Sequence, residues 1–419
     1  MIFWLKYKMN FIQKNIKPYI DDKQPDYLLL IVASLLMIIG MVFSYSLSIF
    51  TVDYYDYSQF HFFLRQGIVV MLAIFAMWGL AHIEADVVFY KWKLGWRLLG
   101  YFSVALIVMN FLPSFMVTAS GGANRWIRLP GFSLSPVEFF KIGFIFFLSY
   151  SFNKKFVNLH KITFLEELKM LAPYGIVFGV VVFFIAVMQK DLGNVVLLAV
   201  ILMVMLVFAD RSSKVFFLLI GAGVAGFVSL VIFAPHRVDR IKSWWSSVQD
   251  GALAPFPKAV QDMLRITEYA EPYQVSNSLN AIYNGGWLGE GLGEGGLKLG
   301  FLGEVHTDFV LAGITEEIGF FGFLFILVLL FFVIFRILRI SRRVENQVYH
   351  LFSLGIALMI SVSFLINSYG ISGLIPIKGI AVPFLSYGGS SVLALGIALG
   401  MVLSISKELP QEKPKCEPS

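Results

Sequence analysis

Asp308 is the carboxylate most suggestively placed for chemistry in this chain. It ends the run Leu302-Gly-Glu-Val-His-Thr-Asp308, directly before a long apolar segment, with His306 and Thr307 beside it. Other ionisable residues fall near the same end of neighbouring apolar segments. They are Arg125 and Arg128 flanking Trp126, Glu138 with Lys141, Asp191 after Lys190, Lys378, and the pair Glu316 and Glu317. Charges in or beside membrane spans are rare and face a cavity or one another. A carboxylate with several cations is the set that deprotonates a weak nucleophile and stabilises a departing phosphate. Such a cavity suits an anionic lipid. Glu138 and Lys141 are i,i+3, so they share a helix face and can neutralise each other. Asp308 is expected in the first turn of a helix, where the dipole favours the ionised carboxylate. The structural alternatives are a helix cap for Asp308, and packing ion pairs for Lys190–Asp191 and one of Glu316 and Glu317.

These residues need a membrane scaffold to bring them together. Of 419 residues, 58% are hydrophobic and 14% charged, well below the roughly one quarter of charged residues in soluble domains. Ten apolar runs of about 20 residues cover 27–50, 62–82, 95–113, 137–153, 172–188, 192–209, 215–234, 307–338, 350–372 and 384–406. With both termini inside, 21 of the 33 lysines and arginines fall in inner segments, as the positive-inside rule requires. The expected fold is an all-α polytopic membrane protein. It has ten transmembrane helices, both termini cytoplasmic, and a large extracytoplasmic loop, 235–306, between helices 7 and 8. Residues 1–26 form a basic segment that suits an interfacial helix or a disordered tail, 27–406 the membrane domain, and 407–419 a cytoplasmic tail. The run 27–50 is too long for a signal-peptide core, so no cleavable leader is expected.

Several chemistries are excluded. The single cysteine, Cys416, permits no intramolecular disulfide. Gly291-Leu-Gly-Glu-Gly-Gly296 matches the dinucleotide-binding pattern, but no strand precedes it and it lies on the outer side. Its glycines are read as sites of sharp turning or close backbone approach. Ser386-Tyr-Gly-Gly-Ser-Ser391 is read mainly as close helix packing by small residues. No His/carboxylate spacing marks a metal site, so no metal ligand or cofactor is assigned; a divalent cation sharing a phosphate role stays open.

The motifs together resemble the SEDS proteins (shape, elongation, division and sporulation), the FtsW/RodA/SpoVE family of bacterial cell-wall polymerases. The resemblance runs through Gly121 to Ile127, Leu134 to Glu138 with Lys141, Asp191 to Gly193, Tyr273-Gln274, Ser278-Leu279, Gly285-Gly286 and Gly291 to Gly293. It is most specific in His306-Thr-Asp-Phe309 with Glu316, Glu317 and Gly319, and in Pro383 to Ser391. Pro376-Ile-Lys378-Gly379 is similar to the division branch rather than the elongation branch. Gly303 stands where the family usually has proline.

The resemblance implies a peptidoglycan glycosyltransferase acting on lipid II at the outer face of the inner membrane, at the division septum. It implies Asp308 as catalytic base. It places Arg125, Lys141, Glu138, Lys378, His306 and Gln274 among the substrate-binding residues. Its implied partners are a class B penicillin-binding protein and other divisome proteins, with no nucleic acid. The rival readings are a lipid II flippase, an elongation-type polymerase and a non-catalytic division scaffold.

Overall fold

The structure is a computed structural model that describes residues 24–113, 115–120, 123–129, 132–156, 164–208, 213–266, 273–376 and 379–408. The basic segment 1–23, Lys378, Cys416 and the tail from 409 lie outside the described residues. Each of the ten apolar runs holds a helix. In chain order these helices are α1 (Tyr27–Ser46) with a short α2 (Ile49–Tyr54), α3 (His61–Ala81), α4 (Leu94–Val108), α5 (Pro136–Phe156) and α6 (Phe164–Val182). A π-helical turn, Phe183–Met188, extends α6. Then come α7 (Leu192–Phe208), α8 (Ser213–Ile232), α9 (Pro235–Leu253), α10 (Lys258–Leu264), α11 (Tyr273–Gly285), α12 (Val310–Arg343), α13 (Gln347–Ile371) and α14 (Gly389–Ser406).

Among the described residues, six helices are long and apolar enough to cross a membrane, and a seventh span arises if the α8–α9 pair, bent by 102°, is one broken span. By length and composition alone the count therefore falls short of ten. The 15-residue α4 and 17-residue α7 are short, and α5 carries Glu138, Lys141, Lys154 and Lys155. The segment 235–306, anticipated as an extracytoplasmic loop, holds α9, α10 and α11.

The expectation of an all-α fold misses a small sheet. Strands β1 (Val117–Ser120), β2 (Ala123–Leu129) and β3 (Phe132–Leu134) form an antiparallel meander before α5. Val117 pairs with Ile127, which pairs in turn with Leu134. The β-branched and aromatic residues Val117, Thr118, Trp126, Ile127 and Phe132 favour this pleated surface, and both residues separating β1 from β2 in the sequence are glycine, a composition suited to two-residue hairpins. A search for 20-residue apolar runs is blind to strands this short.

Polar contacts tie the two ends of the bundle. At one end Asp26 caps α1 through Leu29 N (3.1 Å), pairs with Arg336 (2.6 Å), and donates its own N–H to Ser406 Oγ (3.0 Å). Both limits of the span region therefore meet at that end. Nearby, Lys407 Nζ donates to the His82 carbonyl (3.0 Å), and the Tyr349 hydroxyl to Asp86. The aromatic core Phe89, Phe146 and Phe352 fills the interior beside them.

At the opposite end the glycine-rich stretch is laced onto the start of α12. Glu290 N and Gly291 N donate to the carbonyls of Glu316 and Glu317, and Phe320 N donates to Gly286 O. Gly319 breaks α12 with φ of 68°, and Gly289 opposite it has φ of 82°. Both backbones approach so closely that a Cβ on Gly289 would lie 2.3 Å from Glu317 O. Ser46 and Lys298 close this joint from outside, with Lys298 Nζ 2.6 Å from Glu317 Oε1 and Ser46 Oγ donating to the same carboxylate. Gly289→Ala combines left-handed strain with a backbone clash and is expected to destabilise the protein by at least ~2 kcal/mol. An unchanged thermal unfolding midpoint in detergent would contradict this joint.

Candidate active site

Asp308 lies two residues before α12, whose N-cap is Phe309. The expected helix start at 307 is therefore three residues early. Asp308 occupies a turn in which its N–H and that of Thr307 both donate to Glu304 O (3.1 Å each). Glu304 itself has φ of 54°.

Three consecutive carbonyls hold this turn against the far end of the chain. His306 O accepts from Tyr387 N (2.8 Å), Thr307 O from Ser386 Oγ (2.7 Å), and Asp308 O from Asn367 Nδ2 (2.7 Å). The Asn367 amide also donates to Ile380 O (3.0 Å), and Ser386 Oγ accepts from Val382 N (2.8 Å). The backbone of the motif is thus fixed by α13 and segment 380–387, while the Asp308 carboxyl stays off these bonds. A Cβ on Gly379 would sit 2.9 Å from Asp308 Oδ2, so a larger residue there would press on the carboxylate.

The ionisation of Asp308 differs from the sequence expectation. Its pKa is raised from 3.8 to about 6, first by burial and next by the Glu304 carboxylate, with Asp191 adding to the rise and Arg125 opposing it. The helix dipole acts over one turn, whereas removal of water acts on the whole carboxyl, and here desolvation wins. A carboxyl titrating near 6 is mostly ionised at neutral pH and is a stronger base than an ordinary carboxylate, so it is a competent proton acceptor. His306 is 3% exposed, packed between the rings of Phe62 and Tyr387. Burial lowers its pKa and Glu304 partly opposes that, which favours the neutral imidazole.

Two cations reach this region from different elements. Arg125, on β2, donates from Nε to Gln189 O (3.2 Å) and from Nη2 to Lys190 O (3.0 Å). Both acceptors are neutral carbonyls at the end of the π-helical turn, so these bonds aim the guanidinium without cancelling its charge. π-Turns often mark functional sites. Lys141, on α5, pairs with Glu138 (2.8 Å) and donates to Asn194 Oδ1 (3.2 Å). Asn194 in turn donates to both oxygens of Asp191 (3.1 and 2.8 Å). Asp191 is thereby engaged with α7 rather than in the anticipated pair with Lys190. Of Glu316 and Glu317, the second forms the buried ion pair with Lys298.

Among the remaining sequence candidates, Gln274 on α11 approaches Gly303 on the way to Asp308, and a Cβ there would lie 3.6 Å from its Nε2. Lys378 lies outside the described residues. Sequence reasoning missed Asn367, Asn194 and Glu304 as members of this arrangement. No local spacing marks the two asparagines: Asn367 and Asn194 meet residues 59 and 53 positions away. Glu304 was visible within the approach to Asp308, four residues upstream. Among the described residues no group of three or more His, Cys, Asp or Glu side chains is placed to hold a metal ion.

Comparison with known proteins identifies the family of the chain. The family model described as cell cycle protein, FtsW/RodA/SpoVE, matches residues 26–411. The chain is 46% identical over 378 residues to a probable peptidoglycan glycosyltransferase FtsW of Helicobacter pylori (strain J99), covering 90% of this chain and 96% of that protein. It is 32% identical to the stage V sporulation protein E of Bacillus subtilis, covering 91% and 97%. Its fold is similar to a chain from a peptidoglycan synthase complex that coordinates polymerization and crosslinking, with TM-score 0.66 at 20% identity over 93% of this chain and 99% of that one. The rod shape determining protein RodA of Thermus thermophilus gives TM-score 0.60 at 18% identity, covering 93% and 98%.

A raised folded-state pKa means that Asp308 stabilises the fold below its unfolded value, 3.8, and that this contribution is lost as pH rises through about 6. Asp308→Asn, which mimics the neutral acid, should therefore be more stable than the parent at pH 8, by at most ~3 kcal/mol, and unfold at a higher temperature. The difference should shrink towards pH 4. A variant less stable than the parent at pH 8 would contradict a carboxyl desolvated in this way.

Proposed function

Because the chain belongs to the FtsW/RodA/SpoVE family of cell cycle proteins, we propose that it is a peptidoglycan glycosyltransferase, a multi-pass membrane protein that polymerises lipid II. The observation carrying this reading is Asp308: a desolvated carboxyl with its backbone held at three consecutive carbonyls and a guanidinium within electrostatic reach. An alcohol is a poor nucleophile and needs a base; a diphosphate leaving group needs positive charge. The 4-hydroxyl of an N-acetylglucosamine attacks the anomeric carbon of the N-acetylmuramic acid that ends the growing strand. Asp308 takes the hydroxyl proton as the new C–O bond forms. The polyprenyl diphosphate leaves with the electron pair of the broken bond. One displacement turns an α-linked donor into a β-1,4-linked product, so the reaction is inverting and needs no covalent enzyme intermediate.

Arg125 is the cation assigned to the leaving group, because its bonds go to neutral carbonyls. Lys141 shares its charge with Glu138 and orders the Asn194–Asp191 side of the site, and Lys378 is a further candidate from its motif. Ten spans with both termini cytoplasmic place this end of the bundle on the outer face. The contact between Asp26 and Ser406 supports an even number of spans. The division role rests on Lys378-Gly379 and on the identity to the Helicobacter pylori relative. A class B penicillin-binding protein is the partner implied by the family resemblance.

The test is glycan synthesis from purified lipid II in detergent, where no bilayer needs crossing and a flippase makes no polymer. Asp308→Asn should lower the rate by about 10²–10⁴-fold and Arg125→Ala by on the order of 10²-fold, with both variants folded. Near-parental polymer from Asp308→Asn would refute the base assignment.

A further inference from the structure

A second concave feature lies one turn upstream of Asp308. Leu47, Phe50, Thr51, Tyr54 and Tyr55, around α2, face Lys298 and residues 302–305 across a cavity of about 170 Å³. This is below the roughly 300–1,000 Å³ of pockets that enclose drug-sized ligands, and fits one ring-sized group. Tyr54 and Tyr55 are 70% and 60% exposed, and their rings meet edge to face at 5.0 Å. The Phe50 ring stacks on Tyr54 at 5.9 Å.

The charges of this cavity decide what it can hold. Lys298 is its cation, and that charge is already consumed: Nζ sits 2.6 Å from Glu317 Oε1 with the side chain 1% exposed. The carboxylate of Glu304 on the same wall is exposed, with Thr307 Oγ1 donating to it at 3.3 Å. A phosphate would meet a carboxylate and no available cation. An acyl chain would desolvate Glu304 and Thr51 without replacing their hydrogen bonds. A neutral ring with hydroxyls at its edge and C–H bonds on its faces satisfies both: its faces lie on tyrosine rings and its hydroxyls reach Glu304 and Thr51. Rings that served only as an interfacial belt would face lipid, whereas these line a concavity with two charged residues.

Resting on the glycosyltransferase reading, we propose that this cavity binds an uncharged hexosamine of the growing glycan: the N-acetylglucosamine next to the reacting N-acetylmuramic acid. The incoming lipid II does not suit it, because the sugar adjoining its reacting end carries the diphosphate. Asp308 N donates to Glu304 O (3.1 Å), so the cavity wall and the base share one turn of chain. A sugar seated there keeps the strand end at the base between additions.

The experiment uses the full chain in nanodiscs and a β-1,4-linked N-acetylglucosamine tetrasaccharide as probe, with strand length measured on lipid II in the same preparation. The parent should bind the probe, and inorganic pyrophosphate should not displace it from this cavity. The Tyr54→Ala/Tyr55→Ala variant should weaken binding at least tenfold and shorten the strands. Thr51→Val, which keeps the shape and removes the hydroxyl, should weaken binding about threefold, and it decides the matter if the double variant does not fold. Unchanged affinity and strand length in the folded variants would overturn the subsite, as would displacement of the probe by pyrophosphate in the parent but not in these variants. Polymer without probe binding sinks the subsite alone; probe binding lost in the variants, with no polymer from the parent, sinks the glycosyltransferase reading alone.

Discussion

The desolvation of one carboxyl is the constraint on which the site depends. Asp308 is half-buried at a junction where three chain segments meet, and partial loss of water disfavours its charged form there. That position persists only because the backbone around it is fully occupied. His306, Thr307 and Asp308 each give their carbonyl to a donor from α13 or segment 380–387. The same bonds prevent the turn from relaxing into solvent, where the carboxyl would return to an ordinary pKa and become a weaker base. Charge around the junction then sets the level: Glu304 and Asp191 push the pKa up and Arg125 holds it down.

The rest of this end of the bundle supports the junction from a distance. The glycine-rich stretch is bonded to the kinked start of α12, with Gly289 and Gly319 in contact and the Lys298–Glu317 pair closing the joint. A buried ion pair adds little net stability over an apolar pair, but breaking it leaves an uncompensated charge. Its effect here is to fix where residues 298–305 run, and so where Glu304 and the tyrosine-lined cavity stand relative to the base. On the other side, the π-helical turn after α6 presents the two carbonyls that orient Arg125.

Much of this was legible in the sequence, for a physical reason: the apolar runs and the ionisable residues beside them are local signals. The helices within the apolar runs and the candidates Asp308, Arg125, Glu138 and Lys141 come from that layer. The errors come from the next one. The helix-dipole argument for Asp308 considered one turn of backbone and missed burial by segments 59 to 79 residues away. The sheet at 117–134 is built from strands too short to register among spans. Asn367 and Asn194 are single polar residues in apolar helices whose partners lie in other segments, and no spacing rule finds such contacts.

The most direct measurement of the central claim is the pH dependence of lipid II polymerisation by the parent and by Glu304→Gln. A base raised by burial and by Glu304 must give a rate that falls on the acid side with a midpoint near pH 6. Removing the Glu304 charge must move that midpoint lower while the burial contribution remains. A rate independent of pH between 5 and 8, or an acid limb that Glu304→Gln leaves in place, would contradict Asp308 as the desolvated base.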